Sequence, residues 1–263
     1  MSANTCLNCN KELVDRFCSG CGQKADTHRI SFKHFILHDL LHGTFHLDKG
    51  ILFTAKESLF RPGQAALDYI SGKRIRYYNV FYLILLTIGL MLFTRHIGDL
   101  FFTDTAQLEP EKIYPNEASR KIDEIISQKS KLILLLFVPF AALNSFMLFG
   151  RRKLNLSEHA ILAGMILLGL LLIATLSNLY FPINNFLNLN GTIASMVVTL
   201  ILLVYVCHGY INAFGSDYAV WGMAWRLVLF FGLICAELYL LFLLIFGFVS
   251  DWKFGTVSLT PFS

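Results

Sequence analysis

Four of the six cysteines in this 263-residue chain stand near its start, in CLNC and CSGC. Cys6 and Cys9 form one C-x2-C pair, Cys18 and Cys21 the other, and eight residues separate the pairs. Two residues between thiols let one tight turn present both sulfurs to a metal. Two such turns complete a tetrahedral four-thiolate site suited to Zn²⁺. Asn10 and Gly22 each follow the second cysteine of a pair, where tolerance of positive φ helps aim backbone N–H groups at the sulfurs. The spacing therefore predicts a zinc ribbon over residues 1–27 holding one structural zinc ion. A catalytic zinc is disfavoured, because four thiolates leave no open coordination position. Disulfides are the disfavoured alternative, since the segment is expected in the cytoplasm, where thiols stay reduced. So small a lobe cannot bury a sufficient core, and its folding should depend on the metal.

Two further groups of residues could carry chemistry. Residues 28–46 hold five of the eight histidines, His28, His34, His38, His42 and His46. With Ser31 as a cap, His34, His38 and His42 recur every four residues beside Phe32, Phe35, Ile36 and Leu40, and Gly43 would end that helix. The spacing could chelate a second metal or sense pH, but an amphipathic helix on the membrane or bundle is the favoured reading. The second group is Glu158, His159, His208, Arg226 and Glu237, which lie in or beside apolar blocks. They could gather into a polar pocket open to the cytoplasm, relaying protons or holding a metal. The favoured reading is blander: Arg226 and Glu158 at the interface, His159 capping a helix and Glu237 in one interhelical hydrogen bond. No H-E-x-x-H, G-x-S-x-G, P-loop or Rossmann glycine pattern points to an enzyme. Cys207 and Cys235 read as small apolar residues.

The elements that must position these groups follow from composition. The hydrophobic set makes up 55% of the chain and charged residues only 15%, against roughly 25% charged in a soluble domain. Five segments are apolar and long enough to span a bilayer, at about 79–97, 131–149, 159–181, 192–212 and 225–249. The expected class is mainly α: a polytopic helical membrane protein with about five transmembrane helices, a small zinc ribbon and amphipathic interfacial helices. No cleavable signal peptide is read at the start. Residues 1–78 hold eleven Lys and Arg against seven Asp and Glu, and Arg151, Arg152 and Lys153 follow the second span. Residues 98–130 hold four basic and seven acidic residues. The positive-inside rule then puts the amino terminus in the cytoplasm and the carboxyl terminus, with Trp252 as a possible anchor, outside. In the outer loop, Asn116 can cap a helix bearing Glu117/Lys121 and Arg120/Glu124 pairs and an Ile122, Ile125, Ile126 stripe, expected to run into the second span. Net charge is only +4, so nucleic acid is not an expected partner.

Residues 28–78 join ribbon to membrane as a juxtamembrane collar, with the transmembrane domain at 79–263. Thr54 and Glu57 have capping-box spacing, Pro62 can open a new helix, and Gly72 fits a helix C′ position before Lys73 and Arg74. Lys73, Arg74 and Arg76 are candidate contacts for anionic lipid headgroups, although the positive-inside role alone explains them.

CLNC…CSGCGQK, the following HLDKGILFTAKESLFRPGQAALDYISGKRIRYYNVFYL and SEHAILAG at 157–164 closely resemble a bacterial membrane family known only as a domain of unknown function. The matching positions are Asp48, Gly50, Thr54, Arg61, Pro62, Gly63, Tyr69, Gly72, Lys73 and Arg74. The resemblance implies the architecture and a bacterial inner-membrane location, and adds nothing to mechanism. The expected role is docking, assembly or regulation through a protein partner at the cytoplasmic ribbon, in contact with membrane lipids and possible as a homo-oligomer. The alternatives are a small transporter or channel using Glu237 and His208, and behind it a lipid-acting membrane enzyme.

Overall fold

The computed structural model describes residues 5–25, 50–102, 117–187 and 191–249. The histidine-rich stretch 28–46, Asn116 and Trp252 lie outside them. The described helices are α1 (Gly50–Phe60), α2 (Pro62–Ile70), α3 (Val80–Phe102), α4 (Glu117–Leu135), α5 (Phe137–Leu148), α6 (Leu156–Leu187), α7 (Gly191–Phe214) and α8 (Val220–Val249). Among the described residues, β structure is limited to two isolated bridges in the ribbon, Thr5 with Glu12 and Phe17 with Lys24.

Among the described residues, four helices carry windows long and apolar enough to cross a membrane: Val80–Ile97, Leu156–Asn178, Ile193–Phe214 and Val220–Phe248. The expected second span, 131–149, is instead broken, and the apolar helix there is the shorter Ile133–Leu148. Pro139 supplies the reason. Its ring clashes with the carbonyl four residues back, at Leu135, where α4 ends. Leu136 bridges the break, its N–H reaching the Ile133 carbonyl at 3.1 Å in a tightened turn. α4 otherwise follows expectation, with the Glu117–Lys121 pair at 3.1 Å and Ile122 buried.

α6 is the centre of the molecule. Its residues 161–169 are buried on every side, and 61% of its spanning window is enclosed against 6% for α8. A helix hydrophobic all round needs neighbours all round. α3, α5, α7 and both short helices α1 and α2 supply them. α6 begins with a reciprocal capping box: the Glu158 N–H donates to Asn155 Oδ1 at 2.9 Å, and the Asn155 N–H donates to Glu158 Oε2 at 2.8 Å.

The segment expected as a collar folds as a helical hairpin packed against α6 and α7. Pro62 opens α2 as its fixed φ allows. Gly63 follows because α2 meets α7 backbone to backbone: a Cβ there would run into Ala213 and stand 2.5 Å from the Gly209 carbonyl. The facing Gly209 is equally confined, a Cβ there standing 2.7 Å from Ile166. α2 ends in a full Schellman motif, with Lys73 N–H on the Asp68 carbonyl at 3.0 Å, Gly72 N–H on that of Tyr69 at 3.2 Å and Gly72 at φ +104°. The capping box expected at Thr54 and Glu57 is not formed, because Thr54 already lies within α1. Thr54 Oγ1 instead accepts the Tyr78 N–H at 2.8 Å, just ahead of Asn79, whose Oδ1 caps α3 through the Phe81 N–H at 3.0 Å.

One end of the bundle is tied by aromatic and cationic side chains. Phe149 is fully buried, stacked on Phe214 and Tyr210 with centroids at 4.9 and 5.5 Å. Arg151 and Arg226 lie over the Tyr218 ring at 4.6 and 4.2 Å, and Arg152 pairs with Asp217.

Replacing Gly63 by Ala should destabilise the protein by about 1–3 kcal/mol, as overpacking against rigid backbone does. Gly89→Ala in α3, where nothing lies within 4 Å of the added carbon, is the matched control and should leave thermal stability in detergent unchanged.

Candidate metal centre and its mounting

The two cysteine pairs sit on a repeated knuckle. In the first, the Cys6 N–H donates to the Lys11 carbonyl at 2.8 Å and the Asn10 N–H to that of Cys6 at 2.9 Å. In the second, Cys18 donates to Gln23 and Gly22 to Cys18, both at 2.8 Å. Each turn needs one left-handed residue, and Asn10 (φ 59°) and Gly22 (φ 76°) fill those positions. The ribbon is thus two copies of one local solution placed face to face.

Cys6, Cys9, Cys18 and Cys21 converge, with all four sulfurs within 4.8 Å of one another, and they could hold a metal ion. Cys6 Sγ lies 3.6 Å from Cys21 Sγ, and Cys9 Sγ 3.4 Å from Cys18 Sγ. A tetrahedral site with metal–sulfur bonds of about 2.3 Å requires sulfurs about 3.8 Å apart, so the donor set fits. The backbone favours thiolates. The Gly20 N–H points at Cys18 Sγ from 3.4 Å and draws that thiol down to about 6. The Gln23 N–H, aided by the Asn8 side chain, lowers Cys21 as well. Hydrogen bonds to the charged form do this by stabilising it.

The ribbon is mounted on the turn after α2. Gln23 is buried, its Nε2 donating to the Gly72 carbonyl at 2.7 Å and its Oε1 accepting from the Ile75 N–H at 3.4 Å. Leu7, between the first two cysteines, lies over Gly72, where a Cβ would stand 2.6 Å from its methyl. Gly72 therefore serves the Schellman turn and the ribbon contact together. Sequence reasoning missed Gln23, which follows the second knuckle with no spacing signal of its own.

The five candidate intramembrane residues have separate partners. Glu158 caps α6 as described. His159 is buried with Nδ1 2.9 Å from Ser145 Oγ, so it faces α5 and does not cap, and its Nε2 has no partner among the described residues. His208 is exposed, its Nε2 3.0 Å from the Phe60 carbonyl at the end of α1. Arg226 donates to the carbonyls of Leu148 (2.9 Å) and Gly222 (2.7 Å). Glu237 accepts from Asn144 Nδ2 at 2.9 Å, the interhelical hydrogen bond expected of it. Of the candidate lipid contacts, Lys73 pairs with Asp68 at 2.6 Å, Arg74 lies 5.6 Å over the Tyr69 ring, and Arg76 is exposed. Cys207 is half-buried and Cys235 exposed, both as free thiols.

Residues 48–92 match the family described as "Protein of unknown function (DUF3667)". The match runs from just before α1 through most of the first spanning window and so covers the hairpin, the Gly72 turn and the start of α3. No curated protein matches the chain, and no solved structure does.

A strong chelator should unfold residues 5–25 and leave the helices intact. Amide hydrogen exchange checks this: protection should vanish in the ribbon and persist in α6. Gln23→Ala should retain metal but raise exchange at Ile75, because the second mount of the ribbon is lost.

Proposed function

We propose that this chain is a multi-pass protein of a bacterial inner membrane whose cytoplasmic ribbon, built around one structural zinc ion, docks a protein partner and so serves assembly or regulation. A membrane protein is read from four long apolar helices whose outward side chains are largely apolar, as on α7 and α8. Zinc is read from a closed set of four thiolates, which suits a structural and not a catalytic ion. Orientation is supported by the common end on which basic residues lie: Arg151 and Arg226 meet at Tyr218, and Arg152 pairs with the adjacent Asp217 and borders the cleft shared with Gln64 and Ser71 of the hairpin.

The observation that carries the docking reading is the apolar surface left on so small a lobe. Val14 is 89% and Phe17 59% exposed, both in the loop between the two knuckles. The mount through Gln23 and Leu7 uses other residues, so the loop stays available to a partner. No observation favours a transport path through Glu237 and His208, since the first is held by Asn144 and the second by the end of α1.

Val14→Asp combined with Phe17→Asp should leave metal content and helical content unchanged. The variant should lose the proteins that crosslink to the wild-type ribbon in native membranes, together with any phenotype that deleting residues 1–27 produces. An unchanged crosslinking pattern, with function intact after ribbon deletion, would overturn the reading.

A further inference from the structure

α1 buries the polar Thr54, Glu57 and Ser58 beside the partly buried Ile51 and Phe53, while Leu52 and Phe60 are 79% and 68% exposed. Two large apolar side chains turned outward over buried polar ones suit a helix whose outside is lipid. Its contacts agree in depth. Tyr205 donates its hydroxyl hydrogen to the Ser58 carbonyl, and His208 meets that of Phe60, both from within the apolar window Ile193–Phe214. His208 precedes the end of α7 by six residues, which is about 9 Å along the helix.

Two cations stand near this contact, Arg61 in the turn after α1 and Lys56 about one turn before its end. Arg61 is 55% exposed, and its Nε and one Nη both go to the single Oε2 of Glu57, leaving the other Nη without a partner among the described residues. Lys56 is exposed on the same outer face as Leu52 and Phe60, and also lacks a partner among the described residues. Unspent cationic donors beside hydrocarbon are costly, and the group of matching chemistry within reach is a lipid phosphate, which a planar guanidinium binds through paired hydrogen bonds. In the basic turn before α3, Lys73 is held by Asp68 and Arg74 lies over Tyr69, which leaves Arg76 as its exposed cation.

We infer that α1 and α2 form a re-entrant membrane hairpin whose Lys56 and Arg61 side chains reach back toward the bilayer surface and bind the phosphate of an anionic phospholipid. The inference rests on the membrane reading and is independent of the ribbon. Reconstitution of the full chain into phosphatidylcholine nanodiscs containing phosphatidylglycerol tests the membrane reading first, because a protein that does not enter the discs fails there. Native mass spectrometry then counts retained phosphatidylglycerol. Lys56→Gln should weaken retention about fivefold, as expected for one cation near a membrane surface. Glu57→Gln combined with Arg61→Gln removes the ion pair without stranding a buried charge and should have a similar effect. Wild-type retention in both, or loss only in Lys73→Gln with Arg74→Gln, overturns the inference, as does displacement of the lipid by inorganic phosphate. Depth is read separately from Phe60→Trp in a chain whose Trp221, Trp225 and Trp252 are Phe. Lipids brominated on the acyl chain should quench its fluorescence, and absence of quenching overturns the re-entrant placement.

Discussion

The close approach of the α1–α2 hairpin to α6 and α7 is the contact on which most of the architecture depends. Gly63 lets α2 touch the α7 backbone, and Gly209 accepts it from the other side. Gly169 does the same for α1, since a Cβ there would collide with the Tyr205 hydroxyl and stand 2.7 Å from the Ser58 carbonyl. Where apolar surroundings offer no hydrophobic gain for helix association, such close packing and the hydrogen bonds it permits supply the attraction. The Tyr205 hydroxyl, the His208 ring and the Thr54 hydroxyl each satisfy a backbone group at an end of α1 or α3. The hairpin is therefore held by backbone contact and by polar groups that would be costly to leave unmade.

From that hairpin the chain builds outward in both directions. Its second helix ends in the Schellman turn at Gly72, and the same glycine receives Leu7 and the Gln23 side chain. The four-cysteine lobe is thus fastened to the turn after α2, two residues past its C-terminus. On its other side α2 is joined to α7 by Gln64, whose N–H and side-chain amide both bond Asn212 at 2.8 Å. Ribbon, hairpin and spanning helices form a continuous series of contacts.

The polar residues within the apolar helices do a different kind of work from the one their chemistry first suggests. Asn144 with Glu237 and Ser145 with His159 join α5 to α8 and α6, and Arg226 binds the carbonyl that ends α5. A helix of only twelve residues, shortened by Pro139, has less apolar surface with which to hold its place. Three polar ties to two neighbours compensate. Of the residues that looked like a possible pocket, His159, Arg226 and Glu237 serve to secure this short helix.

Much of this was legible in the sequence wherever the cause is local. The knuckles depend on bonds spanning four or five residues, so C-x2-C spacing with Asn10 and Gly22 was enough to read them. Pro62 and Gly72 marked the ends of α2 for the same reason, and four of the five apolar blocks are helices long enough to cross a membrane because length and composition alone set that property, whereas 131–149 is interrupted at Leu136. Thr54 and Glu57 misled because capping-box spacing is necessary and not sufficient: Thr54 lies within the helix and its hydroxyl accepts the N–H of Tyr78, 24 residues away. What only the tertiary structure decided are the contacts between segments far apart in the chain. Phe60 and His208 are 148 residues apart, and Gln23 and Gly72 are 49 apart. Pattern reading follows the period of one helix, whereas the partner of a buried polar group is chosen by which helix lies beside it, and that choice belongs to the assembled bundle.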